Sequence, residues 1–284
     1  MIDLTGANQL LGGQDGLFDG HAHVFRSDLA MAPGRRYTPD RHALLEDYVT
    51  LLRAHGLDGG LLVQPSFLGT DNSFLTDCLE RAQAYEELTL AGVAVVDSGI
   101  SEESLTDLNE RGVIGLRFNL LGKEDSFEPD EWQTVLKRAD ALGWHVEVHA
   151  RGPALPPLLK SLLKSNSCVV VDHFGLPNPF APLQCDGFRA LCRAPREKVM
   201  VKVSAPYRVL PGVPFAQAGP ATQALFDRLV DRLGEDRLMW GSDWPGTQHE
   251  TSFSYGQTIA WRNGWIAAHT GTRAAKVARS AQTF

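Results

Sequence analysis

No stretch of this 284-residue sequence runs apolar for the roughly 18–20 residues that a membrane-crossing helix needs. The opening residues, Met1 to Gly20, lack a basic segment followed by an apolar one, so no secretory leader is expected. Cysteine is scarce: Cys78, Cys168, Cys185 and Cys192 form no C-x-x-C pair, and none sits beside a metal-type histidine. A disulfide scaffold or zinc ribbon needs tighter spacing, which leaves four small hydrophobes in a reducing cytoplasm. Positive charge is short as well, with 27 Lys+Arg against 34 Asp+Glu and a net charge of −7. That balance argues against nucleic acid or an anionic membrane as a bulk partner, while leaving room for a local basic pocket. Absent too is a G-x-G-x-x-G turn after the first apolar run, where Asp19-Gly20-His21-Ala22-His23 stands instead. A doubly wound nucleotide-binding sheet would carry its phosphate turn there.

What the chain does have is alternation. Eight short, mostly uncharged runs read as strands: Leu17–Val24, Gly60–Gln64, Thr89–Val96, Val113–Asn119, His145–His149, Cys168–His173, Val199–Ser204 and Arg237–Gly241. They are apolar on consecutive positions, as parallel strands covered on both faces are. Between them, Thr76–Leu88, Ser101–Arg111, Pro129–Leu142, Ala154–Lys164 and Pro220–Leu233 carry apolar residues at helical spacing. Ser101 with Ser104 reads as a capped helix start. Met31–Pro39 and Leu210–Pro220, rich in Pro and Gly, read as long loops after the first and seventh strands. No repeat or linker divides the sequence. Eight strands alternating with helices predict a single α/β domain over residues 1–284, a (β/α)8 TIM barrel.

In such a barrel the carboxyl ends of the strands converge on one mouth. Four of nine histidines fall at such ends: His21 and His23 on the first strand, His149 on the fifth, His173 on the sixth. Asp243 follows the eighth. Singly each has a plainer reading, a satisfied strand-end pair or a helix cap; together they predict one site. His145 shares a face with His149 but stands at the start of its strand, toward the barrel bottom. His42, His55, His249 and His269 read as solvated or structural, and Arg35 and Arg36 as surface. Three cations lie where an anion clamp is useful: Arg117 ending the fourth strand, Lys123 six residues on, and Arg208 beyond Ser204-Ala205-Pro206-Tyr207. Guanidinium groups suit bidentate carboxylate recognition, although Arg117 inside a strand could equally pair with a barrel acid.

These residues resemble the amidohydrolase superfamily, in particular its branch of 2-pyrone-4,6-dicarboxylate lactonases. The likeness runs from Phe18-Asp19-Gly20-His21-Ala22-His23 through Arg36-Tyr37-Thr38-Pro39, Gly115-Leu116-Arg117-Phe118-Asn119, Val171-Asp172-His173-Phe174-Gly175 and Lys202-Val203-Ser204 to Trp240-Gly241-Ser242-Asp243-Trp244-Pro245. The resemblance implies a barrel that opens carboxylated lactones. His21, His23, His173 and Asp243 would be its catalytic set, with Arg117, Lys123, Arg208, His149 and Ser204 contacting a small anionic lactone. Two departures stand out. Leu176 replaces an arginine of the lactonase pattern, which points to a less anionic ligand. His149 replaces a tyrosine, and superfamily members with a histidine there typically bind a metal.

Two versions of one hydrolysis follow. In the first, His21, His23, His149 and Asp243 hold one Zn²⁺ or Mn²⁺ that acidifies a bound water. In the second no metal is present, Asp243 activates the water, and the histidines polarise the carbonyl. The alternatives are metal-dependent decarboxylation of a conjugated acid and a non-catalytic barrel that binds a small acid. A homo-oligomer is compatible with the sequence.

Overall fold

Eight short apolar runs lie side by side in chain order, all parallel: β1 (Phe18–Ala22), β2 (Gly59–Val63), β3 (Thr89–Ala94), β4 (Val113–Asn119), β5 (His145–His149), β6 (Val169–Val171), β7 (Val199–Ser204) and β8 (Leu238–Gly241). This computed structural model describes residues 17–124 and 127–281, with side chains through residue 271. The reading of a missing leader therefore falls mostly outside the described residues. Among them, no helix is long and apolar enough to cross a membrane. β8 returns to β1 through Asp243 N–H to the His21 carbonyl and His23 N–H to the Trp244 carbonyl, both 2.8 Å. That seam closes the ring.

The period of two along each strand sorts side chains into two cores. Val146, Val148, Val169, Val171, Val199, Val201 and Val203 point outward against the surrounding helices. Phe18, Leu61, Val63, Ala91, Val93, Val170, Met200 and Met239 fill the barrel itself. On β1 the pairing register shifts between Asp19 and Ala22, and the shift brings His21 and His23 to the barrel side while Ala22 packs outward. Gly115 is a close approach: a Cβ there would lie 2.4 Å from the His145 ring, so its lack of side chain admits that imidazole to the barrel floor.

Helix boundaries follow local chemistry. Ser101 Oγ accepts from Ser104 N–H at 3.1 Å and starts the helix Glu102–Glu110 as expected. The second helix runs Ser73–Ala82, earlier than Thr76–Leu88, because the Asp71 carboxylate accepts from Ser73 N–H and opens a turn there. Leu210–Pro220 is not all loop. Residues Phe215–Ala221 form a helix, with Pro214 just before it, where a fixed φ is harmless. β6 stops at Val171 because His173, at φ 51°, has left extended geometry. All four cysteines are free, and burial pushes the Cys78 thiol up to about 12.

Candidate active site

The closure seam builds the centre of the site. At Gly241 an added Cβ would stand 2.6 Å from His21 Cβ, so β8 can meet the imidazole strand only through glycine. Two residues later Asp243 takes φ 60°, and His173 takes φ 51° at the end of β6. Left-handed backbone at a residue other than glycine costs about 1–3 kcal/mol. Here it turns the side chains of Asp243 and His173 from the strand ends into the barrel mouth.

The two oxygens of Asp243 have different surroundings. Oδ2 accepts from the Tyr207 hydroxyl at 2.5 Å and from Arg208 Nε at 2.7 Å. Oδ1 makes no such bond and faces three imidazole nitrogens: His23 Nε2 at 3.6 Å, His21 Nε2 at 3.7 Å and His173 Nε2 at 4.0 Å. Burial alone would raise this carboxyl, but the neighbouring Arg208 charge holds it well below the usual range. Asp243 is therefore an ionised group, anchored at one oxygen and open at the other.

Behind the imidazoles lies a second, buried layer. His21 Nδ1 is 3.0 Å from Lys202 Nζ, and His149 Nδ1 is 3.2 Å from Arg117 Nη2. His23 Nδ1 donates to the Val63 carbonyl at 2.7 Å, and His173 Nδ1 pairs with Ser204 Oγ at 2.8 Å. Lys202 also donates to Glu147 and lies 3.8 Å from Asp172. Arg117 donates to Asp172 Oδ2 from Nε (3.0 Å) and Nη2 (2.8 Å). Two cations and two carboxylates thus close on themselves inside the barrel. Burial, followed by the neighbouring Lys202, holds His21 well below its ordinary value; burial, followed by Arg117, does the same to His149. Burial also lowers His173, to about 4. These three imidazoles are neutral near pH 7.

Above this layer opens a cavity of about 520 Å³, a normal volume for a small-molecule site. Among the described residues its lining includes four arginines (Arg36, Arg117, Arg151 and Arg208) and a single carboxylate, Asp243. His23, His149 and His173 also line it, whereas His21 and Ser204 sit beneath. Lys123 is exposed and does not line the cavity. Of the expected clamp, Arg117 is bound to Asp172 and Arg208 to Asp243 and the Thr247 carbonyl. Arg36, exposed as the sequence reading expected, and His249, read as solvated or structural, also line the wall. Arg151 pairs with Glu124 at 3.7 Å. Arg36 reaches only the Asn119 amide oxygen, at 3.3 Å, and has no ion-pair partner among the described residues. Sequence reasoning also passed over Tyr207, Lys202 and Glu147. A lone charge inside the apolar runs Val199–Ser204 and His145–His149 was the available signal.

Among the described residues, His21, His23 and Asp243 bring one ligand-type atom each within 4.8 Å of one another, a spacing a metal ion could share. His149 stands outside this group, against His173 with ring centres 5.1 Å apart. Proton placement decides the fit. An ammonium held between two carboxylates has donors and no acceptor, so the His21 nitrogen facing Lys202 carries the lone pair. The single proton of neutral His21 then sits on Nε2, toward the centre. The four-residue shell expected from the sequence is thus not assembled: His149 lies outside it, and His21 Nε2 offers a lone pair only with the proton moved to Nδ1, toward Asp172 Oδ1 at 3.5 Å.

The sequence matches the amidohydrolase family over residues 18–278. It is 33% identical to a 2-pyrone-4,6-dicarboxylate hydrolase of Comamonas testosteroni over 81% of this chain and 77% of that protein. It is 30% identical to a 4-sulfomuconolactone hydrolase of Rhizobium radiobacter, over 81% of this chain and 76% of the relative. A structure from Acinetobacter baumannii, described as a probable 2-pyrone-4,6-dicarboxylic acid hydrolase with citric acid bound, superposes with a TM-score of 0.79. That pair is 30% identical, covering 88% of this chain and 91% of the other. With its eight-stranded barrel, seam-built His/Asp centre and family match over nearly its whole length, the chain is a member of the amidohydrolase family.

Proposed function

We propose that the chain hydrolyses a small lactone carrying acid groups, with Asp243 as general base and no metal in the chemical step. The observation that carries this reading is the asymmetry of Asp243. Tyr207 and Arg208 fix one oxygen, and the other faces the imidazoles at distances that leave space for water. Family membership and relatives named as hydrolases of 2-pyrone-4,6-dicarboxylate and 4-sulfomuconolactone support the substrate class. So does a cavity lined, among the described residues, by four arginines against one carboxylate.

In this mechanism Asp243 Oδ1 takes a proton from water as the water oxygen attacks the lactone carbonyl carbon. The developing oxyanion is stabilised by imidazole N–H groups at the wall, those of His149 and His173. Collapse breaks the ring C–O bond, and the proton on Asp243 passes to the leaving oxygen. The product carboxylic acid ionises, releasing one proton to solution per turnover. Arg208 touches both Asp243 and the cavity. An acid group of the substrate that draws on Arg208 weakens its hold on Asp243 and makes the carboxylate a better base.

A pH-indicator assay over a panel of carboxylated five- and six-membered lactones tests the reading. We expect proton release without CO2 in the wild type, and a loss of about 10²–10⁴-fold in Asp243→Asn, which keeps the shape and removes the base. An Asp243→Asn protein that folds and turns over at the wild-type rate contradicts the assignment. CO2 release in place of ring opening would make the protein a decarboxylase.

A further inference from the structure

A neutral imidazole has one proton, and whichever nitrogen meets an obligate donor must give up the proton to the other. The two histidines of β1 meet opposite partners. His23 Nδ1 faces a backbone carbonyl, which can only accept, so its lone pair is on Nε2. His21 Nδ1 lies 3.0 Å from the ammonium of Lys202, which can only donate, and 3.5 Å from Asp172 Oδ1; the nearer partner places its proton on Nε2. Both Nε2 atoms point to Asp243 Oδ1, at 3.6 and 3.7 Å. His21 Nε2 is buried and has no hydrogen-bond partner.

With His173 Nε2 set farther from Asp243 Oδ1, at 4.0 Å, the nearer groups are one donor, His21 Nε2–H, and two acceptors, His23 Nε2 and Asp243 Oδ1. A single water satisfies all three, giving its two protons to the acceptors and one lone pair to the donor. Its second lone pair is left for the carbonyl carbon. With His21 in the other tautomer the same water would meet three acceptors with two protons, and the site would lose its defined orientation.

We propose that Lys202 is a positioning residue: held by Glu147 and Asp172, it fixes the proton on His21 Nε2 and so completes the seat of the nucleophilic water. The position is costly to maintain. Lys202, Glu147 and Asp172 are buried without solvent contact, a charge cluster that an apolar barrel floor does not need for packing. Placing a donor behind His21 accounts for it. This inference rests on the hydrolytic reading for its catalytic consequence; the proton assignment is tested apart from it.

The first test needs no variant. Long-range ¹H–¹⁵N correlation spectra of the histidine rings in the intact wild-type protein should show His21 protonated at Nε2 and His23 at Nδ1. His21 protonated at Nδ1 overturns the proposal. The second test replaces the pair together, Lys202→Met with Glu147→Gln, so that no lone charge stays buried. The expected result is a His21 ring shifted toward the other tautomer. With it kcat should fall at least about tenfold while KM changes little, since the water's orientation, not substrate binding, is lost. An unchanged His21 spectrum, or a changed tautomer with unchanged kcat, overturns the role of Lys202. Wild-type protein with the expected tautomers that opens no carboxylated lactone would refute the proposed reaction and leave the proton assignment supported.

Discussion

Two sides of the barrel interior are built on different principles. β2 and β3 send in Leu61, Val63, Ala91 and Val93, which need no partner beyond neighbouring carbon. β5 and β7 send in His145, Glu147 and His149, and Met200, Lys202 and Ser204, nearly all of which need a specific one. The apolar side gains from transfer out of water and tolerates a loose fit at modest cost. The charged side gains little net stability, because desolvation offsets most of the attraction, and it depends on being complete. In return it assigns protons, which apolar packing cannot do.

Breaking each side separately sharpens the contrast. Lys202→Met alone should leave buried Glu147 with only the His145 ring, at 3.3 Å, beside it and destabilise by about 3–5 kcal/mol, read as the urea midpoint of unfolding. Val63→Ala on the apolar side should cost about 1–3 kcal/mol by the same measurement. Equal losses would mean the buried charges are solvated in a way the structure does not show.

Acid should damage the charged side first. Burial holds the folded-state value of His173 at about 4, against an ordinary 6.5. Between those limits the unfolded chain binds a proton that the folded chain refuses. Stability is therefore full above 6.5 and is lost as pH falls toward 4, by about 3 kcal/mol for His173 alone. His21 and His149, also held down by burial, add to the loss in the same direction. Urea midpoints that stay flat between about pH 7 and pH 4.5 would contradict the neutral imidazole cluster.

A smaller effect separates the cations. Arg36 is the cavity guanidinium without a carboxylate partner among the described residues, and partial burial followed by the charges of Arg117, Arg208 and Arg151 disfavours its own charge. An incoming acid group relieves that repulsion. Arg36→Met should raise KM about tenfold for a lactone with a distal acid group and hardly at all for the matching neutral amide. Equal changes for both would make Arg36 structural. The smallest effect concerns backbone strain. Ala205→Gly, at φ 45°, should leave activity intact and raise stability by no more than about 1 kcal/mol.

The fold was legible because its signals are local and repeated. Strands of three to seven residues with amphipathic helices between them, one of them capped by Ser101, need no tertiary knowledge. His21, His23, His173 and Asp243 were legible because strand ends in a barrel must converge. The partners were not. That Arg117 is spent on Asp172, or that Arg208 is shared with Asp243, depends on which side chains meet across strands distant in sequence. His149 looked like a ligand by position, yet Arg117 occupies its Nδ1 and His173 separates it from the Asp243 group. Arg36 is exposed, as it looked; that its loop runs over the mouth was not legible, because a loop's path is set by contacts along its length and not by its composition.

The most direct test of the central claim is proton release by the intact protein on a carboxylated lactone, before and after chelator treatment, with metal content measured by elemental analysis on the same samples. Hydrolysis by Asp243 and neutral imidazoles predicts undiminished turnover in protein stripped of metal. Turnover lost on chelation and restored by about one equivalent of zinc or manganese would contradict it, and with it the placement of the proton on His21.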